Sequence, residues 1–246
     1  MSESALATAQ GECTAGGWRE IDARIGNGFA LRDVETLRAI EAELAAGPAD
    51  TLWQPYYRAL AAFRLGVMTR LSIEERGAAL ERAHEQLERM QPTTPEEEAE
   101  KLLLLGCVTG LLVGHTTWRK ALRGWNSQRA LERAAEIAPG NPRVVWAQAS
   151  ADAVLARPGS AEERDAIALL EKAERLLASW QKRKQDDIPA WGGDDIFLWQ
   201  ADLHWRRGEL DRARKVCERA LAITPHLVSA VRMLAALNGF TEKRRD

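Results

Sequence analysis

The chain has 246 residues, with 34 basic and 36 acidic side chains and a formal net charge of −2, so it lacks the basic footprint that displaces counterions from nucleic-acid phosphates. Its 28% charged and 46% hydrophobic residues are ordinary for a soluble globular protein and exclude long disorder and collagen-like sequence. Three cysteines, Cys13, Cys107 and Cys217, are odd in number and far apart, which removes both a disulfide framework and a CxxC zinc pair.

Residues 1–16 read as a flexible N-terminus. They carry no basic n-region and no apolar run of signal-peptide length. As written the chain is therefore expected in the cytoplasm, or in the periplasm if a signal peptide was trimmed. A helix is expected within 17–30. Further helices follow near 33–46, 51–66, 73–90, 95–113, 118–138, 142–156, 162–180, 194–207, 210–223 and 227–238. Four segments open with capping-box spacing: Thr51/Gln54, Ser72/Glu75, Thr94/Glu97 and Ser160/Glu163. Pro95 and Pro142 stand at first helical positions, where a missing N–H costs nothing, and Asn141 precedes the second. Behind these signals apolar residues recur at three- and four-residue steps, as in Leu80, Ala83, Leu87 and Met90.

The apolar run Leu102–Gly114 is too short to span a bilayer, which takes about 20 residues. Its stripe Gly106, Gly110 and Gly114 reads as a close approach of a neighbouring helix, not as a membrane dimer face. Gln181–Gly193 breaks the helical pattern with Pro189 and Gly192-Gly193 and is a surface loop. Residues 241–246 form a frayed tail. No strand signal appears, so the fold class is all-α, with one helical-repeat domain over 17–240, strongest over 95–240.

An internal repeat organises that domain. Leu131-Glu-Arg-Ala-Ala-Glu-Ile-Ala-Pro139 matches Cys217-Glu-Arg-Ala-Leu-Ala-Ile-Thr-Pro225, and weaker copies begin at Leu80 and Leu170. The alanine anchors Ala83, Ala134, Ala173 and Ala220 fit a helix–turn–helix unit of about 34 residues stretched by insertions. Asp194–Leu227 is the best copy. There Phe197, Ala201, His204, Gly208, Ala213, Cys217, Ala220 and Pro225 fall at the positions that make the chain resemble the tetratricopeptide repeat (TPR) family, as a divergent, bacterial-type member.

The resemblance implies an α-solenoid of 10–11 antiparallel helices in a right-handed superhelix, with the first helix of each pair lining a concave groove. Ala134, Pro139, Ala149, Ala201, Gly208, Ala213, Ala220 and Pro225 are its expected structural residues. In that frame Arg143, Trp146, Ser150, Leu198, Asp202, Trp205 and Arg206 face the groove, with Trp199 at its edge. Tryptophan and arginine dominate binding hot spots, because large rigid surfaces desolvate at small entropic cost. Burial of some rings as core, Trp118, Trp125 and Trp180 first among them, is the competing reading.

No nucleophile elbow, phosphate loop or HExxH motif occurs. Asp186, Asp187, Asp194 and Asp195 lack the spacing of a calcium loop. His84, His115, His204 and His226 are read as structural or surface residues, and Cys107 and Cys217 as small buried hydrophobes. No catalytic residue, metal or cofactor is expected, and neither is membrane insertion. The resulting functional expectation is a non-catalytic scaffold that binds a protein or peptide partner in its groove. Two rivals stand beside it: a helical enzyme or small-ligand protein with a pocket at the 181–193 loop near Asp187, Trp191 and Asp194, and a self-associating structural subunit. Partner identity and oligomeric state are not written in the sequence.

Overall fold

In the computed structural model, which describes residues 15–47, 52–115, 120–180 and 189–242, the helices begin where the capping chemistry places them. They are α1 (Ala15–Leu31), α2 (Val34–Ala46), α3 (Trp53–Gly66), α4 (Ile73–Arg89), α5 (Pro95–Leu112, ending in a 3-10 turn), α6 (Lys120–Ile137), α7 (Pro142–Leu155), α8 (Ala161–Trp180), α9 (Gly193–Arg206), α10 (Leu210–Ile223) and α11 (Val228–Glu242). No strand occurs among the described residues.

Complete capping boxes form at Ser72/Glu75 and Thr94/Glu97, and Asn141 accepts from the backbone N–H of Arg143. At Ser160/Glu163 the serine caps as expected, but the glutamate reaches the N–H of Gly159. The box at Thr51/Gln54 does not form as read. Thr51 lies outside the described residues, Leu52 is the N-cap, and Gln54 donates to the Leu44 carbonyl at 2.6 Å. Asp33, which carries no capping-box spacing, caps α2 through the N–H of Thr36.

Consecutive helices pack as antiparallel pairs, with the closest contacts in α3/α4, α5/α6, α7/α8 and α9/α10. Ala83, Ala134, Ala173 and Ala220 on the second helix of each pair are all buried, as are Ala149, Ala201 and Ala213. Such small side chains permit short interhelical distances. Gly106 and Gly110 of the glycine stripe serve the same end in α5/α6, whereas Gly114 faces open space. A Cβ on Gly106 would lie 2.6 Å from Leu131 Cδ2, and Ser127 Oγ donates to the Gly106 carbonyl at 2.8 Å. Gly208, at φ 73°, makes the turn between α9 and α10.

The repeats wind into an α-solenoid whose core forms two clusters. One runs from α1 through Ile196 and Leu203 of α9. The other gathers Phe197, Ala201, Val216, Cys217, Ala220, Leu227 and Ala230. Helix α1 feeds both. Trp18, Ile21 and Ile25 join the first cluster and Ala30 the second, so α1 packs on α2 and α3 near the start of the array and also touches α11.

Candidate binding surface

The first helices of the pairs turn one face inward, and that face is filled by the chain itself. Glu100 on α5 is the hub. Its carboxylate accepts from Tyr56 Oη of α3 at 2.9 Å, from Asn141 Nδ2 at 2.6 Å and from Nε and Nη2 of Arg143 on α7. Trp191, ahead of α9, donates its indole N–H to Tyr56 Oη at 2.8 Å. Gly192 follows at φ 106°, and a Cβ there would lie 2.9 Å from Arg143 Cγ. Both its left-handed backbone and its close approach therefore call for glycine.

A second pair lies beside the first. Arg64 of α3 makes a bidentate bridge to Asp195 of α9, with both N–O distances 2.7 Å. Its guanidinium carbon sits 4.0 Å from the Phe29 ring centre and 5.0 Å from that of Trp191. Trp191 meets Trp146 edge-on at 5.7 Å. Burial acts to lower both arginine pKa values, but the facing carboxylates outweigh it and hold both guanidiniums protonated.

Asp22 of α1 reaches into the same interior, where Oδ2 accepts from the N–H of Ala190 at 2.9 Å and Oδ1 has no partner among the described residues. Desolvation raises its pKa to about 6, against the lowering effects of that hydrogen bond and of Arg143 and Arg64. Its folded pKa thus lies above the ordinary carboxylate range. The folded state gains stability as pH falls through about 6 and loses that gain as pH rises. Asp22→Asn is expected to stabilise the chain at neutral pH by about 2 kcal/mol and to flatten this pH dependence, as read by urea denaturation across pH. An unchanged slope would assign the pH dependence to other groups.

Residues 194–237 match the family profile described as tetratricopeptide repeat. That stretch, α9 to α11, is similar to a tetratricopeptide repeat. A solved structure, that of a thermophilic TPR protein in Thermus thermophilus, superposes with a TM-score of 0.59 at 17% identity, over 89% of this chain and 98% of that one. No curated protein matches the chain in a sequence search.

Within this solenoid the residues expected along one open groove divide. Arg143 is fully buried and Trp146 is 4% exposed, so neither lines an open surface. The physical reason is curvature: α3 and α9 meet through Arg64 and Asp195, and Trp191 covers α7. Ser150 is half-buried and donates to the Ala147 carbonyl at 3.0 Å. On α9, Leu198 packs partly against the second core cluster, while Asp202, Trp205 and Arg206 reach solvent. Asp202 and Arg206 pair at 2.6 Å, and the Arg206 guanidinium lies 5.9 Å from the Trp199 ring centre.

Of the other rings, Trp180 is half-buried beside Arg143, Trp125 is 56% exposed, and Trp118 lies outside the described residues. Trp125 is thus not the core residue of the competing reading, because it stands on the outer face of α6 beside Arg129.

Of the residues expected at the loop pocket, Trp191 is buried and Asp194 accepts from Thr224 Oγ1 at 2.8 Å, while Asp186 and Asp187 lie outside the described residues. His204 pairs with Glu209 at 2.7 Å. Desolvation raises the Cys107 and Cys217 thiols to about 12 and about 11, which keeps both protonated near neutrality. Among the described residues no group of three or more His, Cys, Asp or Glu is placed to hold a metal ion, and no helix is long and apolar enough to cross a membrane.

Proposed function

We propose that this TPR protein is a non-catalytic scaffold that holds a protein partner on the open strip of α9 formed by Leu198, Asp202, Trp205 and Arg206. The TPR fold is itself that of a protein-interaction scaffold. The observation that carries the finer reading is the combination of two half-buried tryptophans, Trp199 and Trp205, with an exposed arginine already positioned by Asp202. A rigid aromatic surface beside an oriented guanidinium suits a segment with aliphatic and acidic side chains.

Arg143 and Trp146 are buried and lie outside the strip. Trp205→Ala and Arg206→Ala are each expected to abolish partner capture from a lysate of the native host while shifting stability by less than about 1 kcal/mol, as for surface sites. Capture that survives both substitutions would remove α9 as the binding surface. Loss of folding would make these residues part of the core.

A further inference from the structure

Many arginines among the described residues are placed against an acid. Arg24, Arg38, Arg64, Arg82, Arg133, Arg143, Arg206 and Arg219 all have carboxylate partners. Arg32, in the turn between α1 and α2, is bonded to two neutral hydroxyls, Thr69 Oγ1 at 2.7 Å and Ser229 Oγ at 3.3 Å. Its Nε is enclosed and has no acceptor among the described residues.

Thr69 is followed directly by Arg70 in the α3–α4 turn, and Ser229 precedes Arg232 by one turn of α11. Both of these arginines are exposed. Burial lowers the Arg32 pKa, and the positive charges of Arg232 and Arg70 lower it further. The Arg32 backbone is left-handed, at φ 56°, a strained state for a side chain of this size. Arg32 and its two hydroxyl partners meet where the first and last parts of the solenoid come together, Arg70 and Arg232 lie next to those hydroxyls in the chain and add positive charge, and no carboxylate is bonded to Arg32 among the described residues.

We propose that Arg32, Arg70, Arg232, Thr69 and Ser229 form a binding site for a phosphoryl dianion. Such a ligand has several oxygens to offer donors arriving from three directions, and its charge relieves the repulsion among the arginines. A single carboxylate supplies fewer acceptors and half the charge, so the geometry favours phosphate. The site is separate from the α9 strip and stands or falls independently of it. The dianion has two sources, free inorganic phosphate or a phosphorylated residue on a protein.

The full chain is titrated with inorganic phosphate, with a phosphoserine peptide and with that peptide unphosphorylated, each against chloride at matched ionic strength, and read by amide chemical shifts. Phosphate is expected to move the amides of Thr69, Arg70 and Ser229. Exposed-site variants Arg70→Gln and Arg232→Gln should each weaken binding about tenfold, the loss of one charge-assisted contact, with unchanged melting temperature. Tighter binding of the phosphopeptide than of phosphate supports the site and assigns it to a modified protein; equal binding supports a free anion. Shifts no larger than those in chloride, equal binding of the unphosphorylated peptide, or binding untouched in both variants overturns the proposal.

Discussion

Glu100→Ala is expected to destabilise the chain by about 3–5 kcal/mol, because it strands the fully buried Arg143 guanidinium without a counter-charge. Tyr56 loses its acceptor and Asn141 loses its amide partner in the same step. These groups come from α3, the α6–α7 turn and α7, so one carboxylate ties together three successive repeats. Urea denaturation should show a lower midpoint with an unchanged slope, the pattern of lost stability in an intact cooperative unit. Adding Arg143→Met should recover part of the loss, since an apolar replacement removes the stranded charge. If Glu100→Ala alone is neutral, the carboxylate is solvated and the interior around it is open.

The second large effect concerns Arg64 and Asp195. Arg64→Met leaves the 7%-exposed Asp195 without its bidentate partner and is expected to cost about 3–5 kcal/mol. It also removes the cation lying against Phe29 and Trp191, which joins α1 to α3 and to the start of α9. Trp191 should then emit at longer wavelength as water enters, and combining Arg64→Met with Asp195→Leu should return most of the stability. A blue-shifted or unaltered emission, together with unchanged stability, would show that α3 and α9 do not depend on this bridge.

The helices were legible because their signals are local. Ser72, Thr94 and Asn141 cap the helices that follow them, and the alanine anchors mark where each pair crosses. Thr51/Gln54 misled because α3 starts one residue later than that spacing requires, with Leu52 as its N-cap. The interior was not legible. Helical periodicity states which face of α7 turns inward, but it does not state whether the space there is open. That depends on the curvature of the array, and the curvature is set by contacts such as Arg64 to Asp195, 131 residues apart in sequence. Arg143 and Trp146 therefore looked like groove residues on the same grounds as Trp205 and Arg206.

One signal of the closed interior was present: charges of both signs, Arg64, Glu100, Arg143 and Asp195, recur on the inward faces of helices that are otherwise apolar. Charged residues are almost never fully buried unless paired, so such a set points to buried ion pairs. Tyr56, Asp22 and Glu100 carried no motif and were found only by their neighbours. The role of α1 was hidden for the same reason: its helix is short of local signals, and its partners lie at both ends of the chain.

The claim on which all this rests is that α1 is built into the solenoid and closes its inner face. Native-state hydrogen exchange on the full chain tests it most directly. The account predicts that amides of α1 around Ile21 and Ile25, both inside the first core cluster, exchange with protection close to that of α3. Rapid exchange of α1, with α3 through α10 still protected, would show a helix that lies loosely outside an open groove and would contradict it.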